Sequence, residues 1–172
     1  MERTTTKIFL LLFIASLLVW LFASANKNYY AGKLLQFGTV EFKSSLDPAD
    51  ERMVYRSIAE YSILAFLSYP FLVLSAAGFL KTTQRSLKKE GWLMMSALLI
   101  FLFIPVELYC FWLDWKIVGL QYWGEWPLTE FRTALYHRIT ALAGLPLIAQ
   151  LCYYTIPIFI IFKPMKLNKQ HE

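Results

Sequence analysis

The sequence predicts an all-α membrane protein, a four-transmembrane-helix bundle with its N- and C-termini in the cytoplasm. Three observations favour this fold class. The 172-residue chain is 58% hydrophobic with a mean hydropathy of +0.46, which is well above the values of soluble domains. Its apolar residues form four blocks, each near the length of about 20 residues that crosses a hydrocarbon core. The positive charge between the blocks lies mostly on one side.

The four predicted spans form a single integral membrane domain that covers residues 1–172. They lie at about 8–25, 57–80, 92–113 and 139–162, with an inner loop at 81–91 and outer loops at 26–56 and 114–138. A soluble domain would instead spread its apolar residues over strands and helix faces. The inner loop is short, so spans two and three should be antiparallel neighbours.

Lysine and arginine residues set the predicted orientation. Nine of them lie in the short segments before span one, between spans two and three, and after span four. The two longer loops hold eight, mixed with seven carboxylates. This bias places both termini in the cytoplasm of a multi-pass protein of the plasma (inner) membrane. A basic loop facing anionic lipid then accounts for the net charge of +5 without a nucleic-acid partner.

The first apolar block has two interpretations. Residues 1–7 and 23–25 resemble the charged region and the cleavage site of a signal peptide. Trp20 and Tyr29 lie where an aromatic belt at the outer face belongs, which favours a retained first helix. Both interpretations give the other three spans the same orientation.

The first outer loop is predicted to contain a short β element and the start of the second helix. Residues 34–43 alternate imperfectly around Gly38, as in a hairpin arm with a bend. Asp47 is a suitable N-cap for a helix that begins at Pro48, and no breaker follows until Pro70. One helix should therefore run from the outer loop through span two.

The second outer loop is predicted to contain a turn and a short helix. Trp126-Pro127 marks the turn, and the helix at Thr129–Arg138 leads into span four. The aromatic residues of this loop either anchor the chain at the membrane interface or cover a site for a lipid, a quinone or a partner. Trp115 and Trp126 are the candidates for the second role.

Spans two to four each carry a stripe of polar or small residues at helical spacing. Polar groups that face lipid tails lose the hydrogen bonds of water without replacement, so these stripes should face one another. Gln150 and Tyr153 are predicted to form hydrogen bonds between helices. Glu107 is a carboxylate within a span, and such a residue is a functional-site hypothesis by default.

Charged residues are predicted to converge at the outer ends of spans two, three and four. Three alternatives remain for them. They bind a ligand or partner, they form a path for protons or cations, or Arg138 forms an ion pair with Glu107 or Glu60 that only stabilises helix packing. The predicted site residues are Glu60, Glu107, Asp114, Trp115, Trp126, His137 and Arg138.

The sequence contains no catalytic signature and no phosphate-binding loop. His137 and His171 are its two histidines and lie on opposite predicted sides, so we expect no metal or other cofactor. The favoured function is a non-catalytic membrane subunit, an assembly factor, or a module that binds a lipid or partner through its outer-leaflet face. The expected partners are the lipid bilayer and other membrane subunits or further copies of the chain, with a bound lipid or quinone as a further candidate.

Two other functions remain open. The first is a small oligomeric transporter or channel in which Glu107 relays protons or cations. The second is a membrane enzyme that acts on a lipid, with Glu60, Glu107 and His137 as acid-base groups.

Overall fold

Four long helical segments dominate the computed structural model, which describes residues 3–165. In chain order the helices are α1 (Thr4–Leu34), α2 (Pro48–Thr82), α3 (Gly91–Trp123), α4 (Leu128–Thr140) and α5 (Leu145–Phe162). The fourth long segment combines α4 and α5. Each segment is long and apolar enough to cross a membrane, which confirms the predicted all-helical class with four spans. Lys166, Lys169 and His171, with the predicted cytoplasmic C-terminus, lie outside the described residues, as do residues 1–2.

Helices replace much of the two predicted outer loops. α1 continues past residue 25 to Leu34, and α3 continues past residue 113 to Trp123. At about 1.5 Å per residue, the 35 residues of α2 extend over roughly 50 Å, whereas a hydrocarbon core is about 30 Å thick. We call the end of the bundle formed by residues 26–58 and 114–140 the head end.

The connection between α1 and α2 is a tight reversal rather than a strand. Leu35 and Phe42 form one antiparallel β-bridge, and residues 3–165 contain no β-strand. Gly38 lies in the turn with a φ of +79°, a conformation that glycine adopts without a steric penalty. The predicted β element is thus reduced to a single bridge, because α1 already includes the chain up to Leu34.

α2 begins at Pro48 and continues through Pro70, as the sequence predicts. Asp47 occupies the N-cap position, but its side chain makes no capping hydrogen bond. Its backbone carbonyl instead accepts a 3.0 Å hydrogen bond from the amide of Glu51. The fixed φ of proline at the first helical position therefore remains the clearest local reason for the helix start.

The fourth span is not one regular helix, which corrects the prediction for residues 139–162. Ala141–Gly144 form a 3₁₀ turn between α4 and α5, and Leu142 has a φ of 52° there. Gly144, which has a φ of +85°, and Pro146 together favour the break, because glycine adopts this left-handed conformation without a penalty and the proline ring would clash with the carbonyl of residue 142 in a continuous helix. Pro146 lies instead in the first turn of α5, where a missing N–H costs little.

Three apolar clusters lie along the described part of the bundle: a main core, a head core, and a small cluster of Phe79, Trp92 and Leu93. In the main core, the Tyr69 hydroxyl donates to that of Tyr153 at 2.8 Å, and Tyr153 donates to the Ile100 carbonyl at 3.1 Å. These bonds join α2, α5 and α3, and they confirm that Tyr153 connects helices. The main core includes Leu17, Trp20, Tyr69, Leu72, Phe103 and Tyr153. The head core includes Leu34, Tyr55, Ile58, Ile117, Phe131 and Leu135.

Candidate functional site

Three buried charges meet between the main core and the head core. Asp114 on α3 accepts hydrogen bonds from Lys27 Nζ on α1 and from Arg138 Nε on α4, the latter at 2.7 Å. The Asp114 side chain is only 3% exposed. A charge buried alone costs several kcal/mol, so mutual pairing is what permits these groups inside the bundle. We call Lys27, Asp114 and Arg138 the ion network.

The ion network lies at one level of the bundle. Lys27 comes soon after the first apolar block, Asp114 directly follows the third, and Arg138 directly precedes the fourth. This is the level at which the apolar part of each helix gives way to its polar part. If the helices cross a bilayer, lipid headgroups begin at about this depth.

A cavity of about 290 Å³ lies beside the ion network. This volume is close to the lower limit of about 300 Å³ for small-molecule sites. Its polar wall is formed by Ser24, Lys27, Asn28, Glu107, Asp114, Arg138 and Gln150. Its apolar wall includes Leu35, Ile58, Ile117, Leu135, Ile139 and Leu147. A molecule in the cavity would therefore contact charged groups on one side and hydrocarbon on the other.

The cavity opens between α1 and α5. Asn28 and Gly32 on α1 and Leu147 on α5 line it and are themselves exposed. α1 packs closely along α2 but touches α5 at few points. At the opening, Asn28 Nδ2 donates a 2.6 Å hydrogen bond to Gln150 Oε1, so Gln150 connects helices as predicted. A ligand that enters from the side has to pass this bond.

Glu107 lines the cavity without a partner of its own. The residue is 5% exposed, and within residues 3–165 its carboxylate makes no hydrogen bond or ion pair. The charges of Lys27, Arg138 and Asp114 nevertheless act on it through space. The indole N–H of Trp20, which also lines the cavity, has no acceptor in the described part of the chain. Buried polar groups are normally paired, so the Glu107 carboxylate, which lines the cavity, is available to a bound molecule.

Glu60 and His137 lie away from this cavity. Glu60 is half exposed and accepts a 3.0 Å hydrogen bond from Arg56 on its own helix. His137 is exposed and lines a separate shallow groove on α3 and α4. Glu60, Glu107 and His137 therefore do not share one acid-base site. Arg138 is paired with Asp114 instead of with Glu107 or Glu60.

The two predicted tryptophans also lie outside the cavity. Trp115 is exposed on the side of the bundle, where its ring centroid is 5.7 Å from that of Phe66. This position is suited to interfacial anchoring. Trp126 stacks on Phe131 of the head core at 4.6 Å, and the Arg52 guanidinium lies 4.1 Å from its ring centroid. Trp126 thus helps to close the head core.

The sequence prediction missed Lys27 and Asn28, which it assigned to a loop. A signal was present. Trp20, Ser24, Lys27 and Ala31 recur at a spacing of three or four residues, which places them on one face of a helix. All four line the cavity. The charge of Lys27 suggested a chain leaving the membrane. The helix instead continues to Leu34, and Asp114 pairs with the buried charge of Lys27.

A second buried ion pair stabilises the head end. Arg132 on α4 donates to both carboxylate oxygens of Glu51 on α2, from Nε at 2.8 Å and from Nη2 at 2.6 Å. The Tyr55 hydroxyl also donates to Glu51, at 3.3 Å. The Glu51 side chain is only 2% exposed, whereas that of Arg132 is 39% exposed. This pair fixes α4 against the projecting part of α2.

Within residues 3–165, the cavity is thus a place where the protein presents unpaired polar groups to a small molecule. It offers hydrogen-bond donors from Lys27 and Arg138 and a carboxylate acceptor from Glu107. Within residues 3–165, no group of three or more His, Cys, Asp and Glu side chains could hold a metal ion. Comparison of the chain with protein-family models, with curated proteins and with solved structures finds no match.

Proposed function

We propose that this protein is a non-catalytic membrane module that binds a lipid-like ligand in the cavity beside Glu107. The observation that supports this proposal is the arrangement of polar and apolar side chains around the cavity. Charged groups line one side, apolar side chains line the other, and the opening between α1 and α5 faces sideways. A lipid has the same division into a polar and an apolar part and can reach such an opening from the bilayer.

The outer surface of the bundle supports placement in a bilayer. Large apolar side chains are exposed along all the long helices, among them Leu11, Phe71, Leu102 and Ile158. In water this surface would be an aggregation liability, whereas lipid tails solvate it. Other membrane subunits or further copies of the chain are proposed partners for parts of the same surface.

Binding is favoured over an ion path through one copy of the chain. Next to Glu107, the rings of Trp20, Tyr69 and Tyr153 pack against one another with centroid distances of 4.7 to 6.3 Å. Trp20 and Tyr153 are at most 1% exposed. A proton or cation that passed Glu107 would have to cross this packed layer.

Gly32→Leu is expected to lower the fraction of protein that carries bound lipid. A Cβ at Gly32 meets nothing within 4 Å, so the new side chain would enter the opening without displacing its neighbours. Leucine also favours a helix more than glycine does, so the fold should remain stable. Native mass spectrometry in a mild detergent should show a loss of affinity of about tenfold, which corresponds to roughly 1.4 kcal/mol.

Gly119→Leu is the matched control. Gly119 is also a helical glycine with nothing within 4 Å of its Cβ, but it lines the shallow groove on α3 and α4. This variant should retain bound lipid at the level of the unmodified protein. Equal loss in both variants, or unmodified protein that carries no lipid, would contradict the proposed function.

We propose that the head end lies at the outer face of the plasma membrane and that the α2–α3 loop lies in the cytoplasm. This orientation is supported by the lysine and arginine bias between the spans. Phe37 lies at the tip of the α1–α2 connection and Ser86 lies in the α2–α3 loop, and both residues are exposed. Phe37→Cys and Ser86→Cys therefore place a reactive thiol at each end of the bundle. An impermeant maleimide should label the first variant on intact cells and the second only after permeabilisation.

These labelling experiments need a background without the native thiols, Cys110 and Cys152, both of which are free. Replacing both by alanine leaves the introduced cysteine as the reactive group. If intact cells label Ser86→Cys but not Phe37→Cys, the protein has the opposite orientation to the one proposed.

A further inference from the structure

The charges around the cavity balance one another. Lys27 and Arg138 supply two positive charges, and Asp114 and Glu107 supply two negative charges when all four groups are ionised. Uncompensated charge is costly in an interior of low dielectric constant. A bound group with no net charge therefore preserves the balance, whereas a purely anionic or purely cationic group disturbs it.

Donors for an anionic group remain free at the ion network. Arg138 uses Nε for Asp114, and its two Nη atoms make no hydrogen bond to any residue in 3–165. Lys27 donates one hydrogen bond, to Asp114, out of the three that an ammonium group can make. Guanidinium and ammonium donors of this kind bind phosphate or carboxylate oxygens.

An acceptor for a cationic group remains free deeper in the cavity. Glu107 and Asp114 are seven residues apart on α3, so both lie on one face, separated by about 10 Å along the helix axis. The Glu107 carboxylate is buried and unpaired, and an ammonium group would satisfy both its charge and its hydrogen-bonding capacity. The cavity thus offers free donors at one end and a free carboxylate at the other.

We infer that the cavity selects a zwitterionic group in which a primary ammonium is joined to an acid group. The ammonium pairs with Glu107, and the acid oxygens accept hydrogen bonds from Arg138 and Lys27. The headgroup of phosphatidylethanolamine has this chemistry, and so does free phosphoethanolamine in solution. If the zwitterionic group belongs to a lipid, the inference rests on the proposed function and specifies which lipid headgroup is bound.

Competition between lipids in nanodiscs tests this inference. Native mass spectrometry of the unmodified full chain should show phosphatidylethanolamine bound at least about tenfold more tightly than phosphatidylglycerol, which lacks the ammonium. The affinity for phosphatidylethanolamine should also exceed that for phosphatidylcholine, whose quaternary nitrogen has no N–H to donate. Glu107→Gln should abolish the preference, because a neutral amide cannot compensate the ammonium charge, and Glu107→Asp should retain part of it.

Glu60→Gln is the control for the removal of a carboxylate, because Glu60 lies outside the cavity and is exposed. It should leave the lipid preference unchanged. Lipid binding with no headgroup preference, or a preference for phosphatidylglycerol that survives Glu107→Gln, would overturn the zwitterion inference alone. Absence of any bound lipid would overturn the proposed function. Saturable binding of free phosphoethanolamine without lipid binding would support the zwitterion chemistry but assign it to a soluble ligand.

Discussion

Asp114→Asn is expected to lower the free energy of unfolding by about 3–5 kcal/mol, the usual cost of removing one member of a buried ion pair. Asp114 is the shared acceptor for Lys27 and Arg138, and its side chain is 3% exposed. The substitution preserves the volume but removes the negative charge, which leaves two cations buried together. Equilibrium unfolding in mixed micelles, followed by tryptophan fluorescence, measures the change.

Two further variants make this test specific. Glu60→Gln removes a carboxylate whose ion pair with Arg56 is exposed, and it should change the unfolding free energy by less than about 1 kcal/mol. Lys27→Met combined with Asp114→Asn should recover part of the loss, because one of the two unpaired cations is removed. If Asp114→Asn behaves like Glu60→Gln, the ion network does not hold the helices together.

Arg132→Gln is expected to destabilise the protein by about 3 kcal/mol, because Glu51 would remain buried without its cation. The Glu51 side chain is 2% exposed and receives two hydrogen bonds from the Arg132 guanidinium. Glu51→Gln should cost less, since Arg132 is 39% exposed and water can solvate the freed cation. The same unfolding experiment should therefore rank the two variants in this order.

Arg56→Gln is the matched control for Arg132→Gln. Arg56 also pairs with a glutamate on α2, but both side chains are more than half exposed. Its removal should change the unfolding free energy by less than about 1 kcal/mol. Equal effects of Arg56→Gln and Arg132→Gln would show that burial of Glu51 does not determine the strength of the pair.

The four helical segments could be predicted because their signal is local. Apolar blocks of the right length, Pro48 at a helix start and Pro146 inside an apolar block are all visible in the sequence. Gly144 and Pro146 favour the break between α4 and α5, where the sequence was interpreted as one continuous span. A proline in an apolar block does not predict a break by itself, because α2 and α3 continue through Pro70 and Pro105. The head end was harder to predict, since helices continued where charges suggested loops.

The candidate site was predictable only in part. Glu107, Asp114 and Arg138 are charges in or beside apolar blocks, and the structure brings them to one cavity. The helical spacing of Trp20, Ser24 and Lys27 was a signal for α1, but the partner of Lys27 on α3 is distant in the chain and could not be identified from that spacing. Glu60 was predicted to converge with these charges at the outer ends of the spans, but it lies on a different face of α2 from Ile58, which lines the cavity.

A structure determined in nanodiscs that contain phosphatidylethanolamine is the most direct test of lipid binding beside Glu107. Density for a bound molecule is expected in the cavity, with its polar end between Glu107 and Arg138 and its apolar part leaving between α1 and α5. A cavity filled by side chains, with the Glu107 carboxylate paired to Arg138 and Asn28 still bonded to Gln150, would contradict this expectation. In that case the buried charges would serve helix packing alone.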